Sequence, residues 1–339
     1  MNLDQFIEKM PKVELHVHME GSIQPETLLT LAERNHVDLP AKTPEELRQW
    51  YTFTDFPHFI EIYRTFAKCL RTAEDIELIT RQFLIGQANQ NILYSEVTYT
   101  PYSQYMANAI PFADQLAAIN RARHWASGEL GVEMGIIPDI SRDVTPKLGN
   151  IVANWAVEGM HDGVIALGLG GYEVGNPPEK FAEAFDIVHK ACLPAVIHAG
   201  ETGGPESITG ALDALHAVRI GHGVRCLEDA ELVKRLRDEQ IPLEVCPTSN
   251  ICLKVFPSLE EHVLPKLLQE GLYVTINSDD PPMFNTTLTR EYQLASKTFG
   301  LNREQIIQLV LNGVRVTLLP QDKKEALEKK FKLAFEILA

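Results

Sequence analysis

A (β/α)8 barrel is the fold class this sequence predicts, on three observations. Eight short apolar runs read as strands, segments of helical periodicity lie between them, and histidines and carboxylates gather where the runs end. Strand alternating with helix implies parallel strands joined by crossovers. Eight such units suggest a closed barrel, whose chemistry sits at the C-terminal strand ends. An open doubly wound sheet is the competing architecture and would gather its ligands at one switch point. A length of 339 residues suits one barrel with insertions, so a single barrel domain over 1–339 is expected.

The strand-like runs are 13–18, 92–98, 132–138, 163–169, 193–198, 218–222, 242–246 and 272–278. Most are continuously apolar, as strands buried on both faces are. Segments 72–87, 112–127, 178–191, 229–239 and 259–269 place apolar residues three and four apart, the period of a helix face. A helical insertion, about 24–90, separates the first two strands, with pieces predicted at 24–35, 44–51 and 56–67. It is aromatic-rich around Phe53, Phe56, Phe59, Tyr63 and Phe66. It reads either as extra helices packed on the barrel or as a lid, because insertions after barrel strands sit on the active-site face. The tail 302–339 is helical and charged, with Lys323, Lys324, Lys329 and Lys330, and predicts a solvated helix face.

Hydrophobic residues make up 45% and charged residues 23%, as in a globular protein. The formal net charge of -15 repels phosphate backbones and anionic lipid surfaces, so neither nucleic acid nor membrane is expected as a partner. No apolar stretch approaches the roughly 20 residues that span a bilayer. The N-terminus lacks the basic start and apolar core of a signal peptide, so a cytoplasmic protein is expected. Cys69, Cys192, Cys226, Cys246 and Cys252 are odd in number, scattered and without a C-x-x-C pair. They predict neither a disulfide framework nor a cysteine zinc site, and are expected as small core residues. Oligomeric state is left open.

The chemistry lies in a few sequence words. His16 and His18 are two apart on a strand, so both imidazoles share one face. His198 ends the fifth strand, with Glu201 three residues on. His222 ends the sixth between Gly221 and Gly223, which are expected to let the backbone bend and turn the ring inward. Asp279 and Asp280 follow the eighth strand. Neighbours on an extended chain point apart, so one could bind metal while the other handles protons. Imidazoles and carboxylates at convergent strand ends are the material of a catalytic zinc site. His36, His58, His124, His161, His189, His216 and His262 fall in helical or loop stretches and read as structural or solvated, with His58 the exception if the insertion is a lid.

These words, with Cys246-Pro247-Thr248-Ser249-Asn250 and Glu20-Gly21, resemble the adenosine deaminase family of the amidohydrolase superfamily across nearly the whole chain. The resemblance implies that His16, His18, His198 and Asp279 hold one Zn2+ per chain. It implies that Glu201 gives a proton to the purine ring, while His222 and Asp280 orient and deprotonate the attacking water. His18, Glu20, Gly171 and Asp280 are then expected to face the substrate, with the Gly171 backbone at the purine edge. Two other site types fit less well. The fourth strand carries no lysine, which binuclear amidohydrolases use to bridge two metals. The H-x-E and P-C-x-x-C spacing of cytidine-deaminase zinc sites is missing.

The expected reaction is hydrolytic deamination of a 6-aminopurine, adenosine or 2′-deoxyadenosine first. Adenine or aminodeoxyfutalosine is the alternative. Glu20 stands where many adenosine-specific members have aspartate, and Glu20 and the loop 172–178 resemble the alternative group. Gly221 departs from the adenine group, which often has aspartate there. A catalytically silent purine-binding protein, or a mononuclear amidohydrolase acting on a non-purine ring, is the remote alternative. A silent relative would be expected to have lost a ligand or the proton donor, yet every such residue is present.

Overall fold

The computed structural model describes residues 1–53 and 56–338, with only the backbone of residues 56 and 57. The Phe56 ring, one of the predicted lid aromatics, therefore lies outside the described residues. One parallel sheet runs in sequential order through β1 (Lys12–His18), β2 (Ile92–Tyr99), β3 (Glu133–Ser141), β4 (Leu167–Gly170), β5 (Ala195–Ala199), β6 (Arg219–His222), β7 (Pro242–Val245) and β8 (Tyr273–Ile276). The seam between β8 and β1 is closed by irregular backbone. His18 N–H donates to the Asp279 carbonyl at 3.0 Å, and Asp279 N–H donates to the His16 carbonyl at 3.1 Å. The Asn277 Oδ1 accepts from Leu15 N–H at 2.9 Å and His16 N–H at 3.2 Å, standing in for a ladder bond. The result is the (β/α)8 barrel. The doubly wound alternative fails because its strand order would not be sequential.

All eight predicted strands are present, with shifted ends. The fourth is the largest shift: Val164 makes only an isolated bridge to Ile136, and β4 begins at Leu167. The predicted helix 259–269 is broken into a 3-10 turn, Leu259–Glu261, and a helix, Leu264–Gln269. Pro265, in the first turn, cannot sit in the interior of one continuous helix. The helices Pro101–Asn108, Pro146–Gly159, Pro205–Asp213 and Pro247–Cys252 follow β2, β3, β5 and β7 and went unpredicted. Each opens on a proline, whose preset φ and missing N–H suit the first helical position.

The tail corrects one expectation. Its first helix, Arg303–Val316, is not a solvated face: Ile306, Leu309, Val310, Leu311 and Val314 are buried, and it packs on β1 and β8. It covers the barrel seam. The second, Gln321–Leu338, does keep its lysines outward while burying Phe331 and Phe335. Of the cysteines, Cys69, Cys226 and Cys246 are buried as expected, but Cys192 is exposed and Cys252 half-buried.

The insertion holds the helices Pro25–Arg34, Pro44–Tyr51 and Phe56–Cys69, then the crossover helix Ala73–Asn89 that returns the chain to β2. Tyr51 and Phe66 are buried against each other at 5.4 Å between ring centroids. Tyr51 OH donates to the Ile23 carbonyl at 3.0 Å. Burying two such rings contributes about 1.5–3 kcal/mol each, which anchors the insertion on the barrel mouth. No helix among the described residues is long and apolar enough to cross a membrane.

Candidate active site

The ends of β1, β5 and β8 bring His16, His18, His198 and Asp279 together, with one donor atom from each within 4.8 Å of the others. His18 Nε2 lies 3.1 Å from His198 Nε2 and 3.2 Å from Asp279 Oδ1, and His16 Nε2 lies 3.5 Å from the same oxygen. His16 Nε2 is buried without a hydrogen-bond partner among the described residues. Three imidazole nitrogens and a carboxylate converging on one point, one of them otherwise orphaned, fit a tetrahedral zinc ion.

Neighbouring groups set the charge of these donors. His16 Nδ1–H donates to Glu244 Oε2 at 3.0 Å. Glu244 also accepts from Arg219 Nε at 2.6 Å, and Arg219 Nη2 donates to Glu96 Oε2 at 2.5 Å. This chain crosses the barrel interior, fixes the His16 tautomer and turns its Nε2 lone pair toward the cluster. Burial works against ionised Glu244, yet Arg219 beside it holds its carboxyl below the usual range. Burial and the facing His16 and His18 push His198 well below an ordinary imidazole, so it is neutral, as a ligand must be. Ser249 Oγ donates to Asp279 Oδ2 at 2.6 Å.

The backbone beneath the site is strained where it matters. His222 and Asp279 both adopt left-handed φ, +62° and +65°, which side-chain-bearing residues rarely do. The two aspartates diverge as expected, but through this turn and not along an extended chain. The role expected of Gly221 also differs. The bend falls on His222 and Gly223, while Gly221 supplies room: a Cβ there would lie 2.7 Å from His16 Cε1.

Glu201 stands on a clamp. Glu173, 5% exposed, accepts from Gly200 N–H at 2.8 Å and from Glu201 and Thr202 N–H at 2.9 Å each. Ser207 Oγ donates to it as well. The Glu201 side chain lies 3.6 Å from His222 Nδ1 and accepts from Asn250 Nδ2 at 3.4 Å. Burial, then the charges of Asp279 and Glu173, push Glu201 well above an ordinary carboxyl, so it keeps its proton near neutrality. Asn250 also approaches His222 Nδ1 at 3.3 Å, and His262 Nε2 stands 3.2 Å from Asn250 Oδ1. His262 is buried in this relay and not solvated. His58 packs near Trp50, at 6.1 Å between rings, and is not on the cavity wall.

Asp280 accepts a hydrogen bond from Tyr63 OH, on the helix Phe56–Cys69. Burial and the neighbouring Asp279 raise the Asp280 carboxyl. Gly21 leaves it space, since a Cβ at that position would collide with Asp280. A cavity of about 600 Å3 opens beside these groups, lined in part by Phe53, Phe59, Tyr63 and Met106. Glu20 and Gly171 also line it; Gly171 has φ +91°, which only glycine adopts readily. Glu20 is 3% exposed; its Oε1 accepts from Thr100 N–H at 3.0 Å and its Oε2 has no partner among the described residues.

His16, His18, His198, Asp279, Glu201, His222, Asp280, Glu20 and Gly171 are thus all on the cavity wall or at the cluster beside it, and His58 is not. Sequence reasoning missed Tyr63 as an Asp280 partner, and it missed Glu173, Asn250, Glu244 and Arg219. Asn250 lay inside a quoted word, and Arg219 within the predicted strand 218–222. A buried glutamate in the apolar run of β7 was the available signal for Glu244.

Comparison with known proteins agrees with this site. The adenosine deaminase family model matches residues 11–333. An adenine deaminase from Chlorobium phaeobacteroides is 37% identical over 95% of this chain and 96% of its own. An aminodeoxyfutalosine deaminase from Streptomyces coelicolor is 40% identical over 94% of this chain and 82% of its own. The crystal structure of an amidohydrolase from Burkholderia ambifaria, with bound Zn, superposes with a TM-score of 0.93 at 25% identity, covering 100% of this chain and 94% of that one. The chain belongs to the adenosine deaminase family and is a deaminase, a hydrolase acting on C–N bonds.

Proposed function

We propose that the chain is a zinc-dependent deaminase of a 6-aminopurine nucleoside, of the aminodeoxyfutalosine kind before free adenine. The observation that carries the nucleoside reading is the cavity. Its volume of about 600 Å3 far exceeds what a bare purine fills, and its wall holds buried polar atoms without partners. Free adenine is the second reading, favoured by the 37% identical adenine deaminase. Adenosine, first in the sequence reading, falls behind both, because the two curated relatives carry the other names.

One Zn2+ would be held by His16, His18, His198 and Asp279. When bound, it supplies a Lewis acid that brings the pKa of water down to roughly 7 in favourable sites. The remaining chemistry belongs to the side chains. Glu201, kept protonated by burial, gives its proton to ring N1, so that attack at C6 builds no negative charge on the ring. Asp280, hydrogen-bonded by Tyr63, takes a proton from the attacking water. His222, held 3.3 Å from Asn250 Nδ2, orients that water. The Gly171 backbone meets the purine edge. Asp280 then returns its proton to the amino group, which leaves as ammonia, and the C6 hydroxyl gives its proton back to Glu201 as the 6-oxopurine forms.

The test is ammonia release by the zinc-loaded protein from aminodeoxyfutalosine, adenine, adenosine and 2′-deoxyadenosine. Aminodeoxyfutalosine is expected to show the highest kcat/KM. A higher value for adenine would replace the first reading with the second. No ammonia from any 6-aminopurine would refute both.

A further inference from the structure

Two buried side chains on the cavity wall take no part in the chemistry above. Asp139, on β3, is 4% exposed and its Oδ1 has no hydrogen-bond partner among the described residues. Gln104, in the helix Pro101–Asn108 after β2, is fully buried, and neither its Oε1 nor its Nε2 has a partner among them. With Glu20 Oε2 they make a group of unpaired polar atoms on the β1–β3 side of one cavity. Buried polar atoms are nearly always paired in native proteins. A cluster of unpaired ones beside a cavity marks where a ligand completes the bonds.

The cluster is held in place by the fold. Asp139 occupies the space that two β4 glycines leave open: a Cβ on Gly168 would lie 2.7 Å from Asp139 Oδ1, and one on Gly170 would lie 3.0 Å from Oδ2. Glu20 is tied by its other oxygen to Thr100 N–H at 3.0 Å. Gln104 follows Thr100 by one helical turn.

The donor–acceptor balance says what the wall would take. With both carboxyls ionised, Glu20 Oε2, Asp139 Oδ1 and Gln104 Oε1 are acceptors, and Gln104 Nε2 is the one donor among these four atoms. A bare purine, its amino group engaged at the reacting centre, offers this wall a single ring N–H. Sugar hydroxyls offer a donor each, and carboxylates are the usual partners of ribose hydroxyls. We propose that Gln104 and Asp139, with Glu20, bind the hydroxyl groups of a sugar on purine N9. The proposal rests on the purine reading above.

The experiment uses zinc-loaded full-length protein. Calorimetry compares binding of inosine, 2′,3′-dideoxyinosine and hypoxanthine, and kinetics compare adenosine with 2′,3′-dideoxyadenosine. Inosine is expected to bind about 10–100-fold more tightly than its dideoxy analogue, with the same preference in kcat/KM. Gln104→Leu and the isosteric Asp139→Asn should each shrink that preference by about 10-fold without changing zinc content. The wild-type comparison stands even if a variant fails to fold. Equal binding of inosine and dideoxyinosine would overturn the proposal, as would variants that weaken both ligands alike. Hydroxyl-dependent binding without any ammonia release would support this subsite while refuting deamination of these purines. Turnover confined to adenine would refute the sugar subsite and leave the deaminase standing.

Discussion

Replacing Glu173 with glutamine tests whether one carboxylate holds the loop that carries Glu201. In the protein Glu173 Oε1 accepts from Glu201 and Thr202 N–H, at 2.9 Å each, while Oε2 accepts from Gly200 N–H at 2.8 Å and from Ser207 Oγ. In Glu173→Gln one oxygen becomes an NH2. If Oε1 is kept, Ser207 can rotate and accept from the new amide, but Gly200 N–H faces a donor and loses its only acceptor. If the amide flips, two backbone N–H groups are stranded, so the first arrangement is the cheaper. The cost is then one charge-assisted hydrogen bond and one buried unpaired N–H, about 2–4 kcal/mol. Glu201 keeps its own bond to Oε1, but Gly200, the residue before it, is no longer pinned, and kcat should fall about 10–100-fold, since misplacement by 1 Å can cost 10²-fold. Zinc content should hold, because the cluster shares no hydrogen bond with Glu173. Urea unfolding of the zinc-saturated protein, beside steady-state kinetics and metal analysis, measures all three. Stability within about 0.5 kcal/mol of wild type, the range of an ordinary surface change, would refute the clamp.

Glu201→Gln should keep zinc and bind ligand while losing about 10²–10⁴-fold in kcat, the usual worth of a general acid; near-normal turnover would remove Glu201 from that role. Asp279→Asn should lower metal content, whereas Asp280→Asn should keep the metal and lose turnover. Equal zinc loss in both would end the division of labour between them. Metal analysis should find about one zinc per chain, and two tightly held ions would contradict the mononuclear site. Metal affinity should rise with pH. Burial opposes the charged imidazoles, but without metal the carboxylates of Asp279 and Glu244 facing its ring raise His16 to about 10, and Asp280 and Asp279 raise His18 to about 9. Below those values a proton must leave before a metal can bind, so chelator competition between about pH 6 and 8 should show tighter binding at the higher pH; affinity independent of pH would exclude these nitrogens as ligands.

The barrel and most of its working residues were legible in the chain because both are written in short-range patterns. A strand buried on both faces is mostly apolar, and a working residue near its C-terminal end follows that run directly, as His18, His198 and His222 do. The glycines were legible as glycines, yet their purpose was not. Gly21 and Gly221 serve contacts with Asp280 and His16, residues far away in sequence. Three of the proline-led helices, Pro101–Asn108, Pro205–Asp213 and Pro247–Cys252, were missed because helices this short show too few apolar positions to establish a period.

What tertiary structure alone decided is the set of partners. The His16–Glu244–Arg219–Glu96 chain joins four strands that meet only when the barrel closes. Tyr63 reaches Asp280 only because the insertion folds back over the mouth, and the Arg303–Val316 helix is buried only because the seam of β1 and β8 lies beneath it. Periodicity along a chain reports which face of an element is apolar. Hydrogen-bond partners and available space depend on what another element places against that face, and the sequence determines these only through the completed fold.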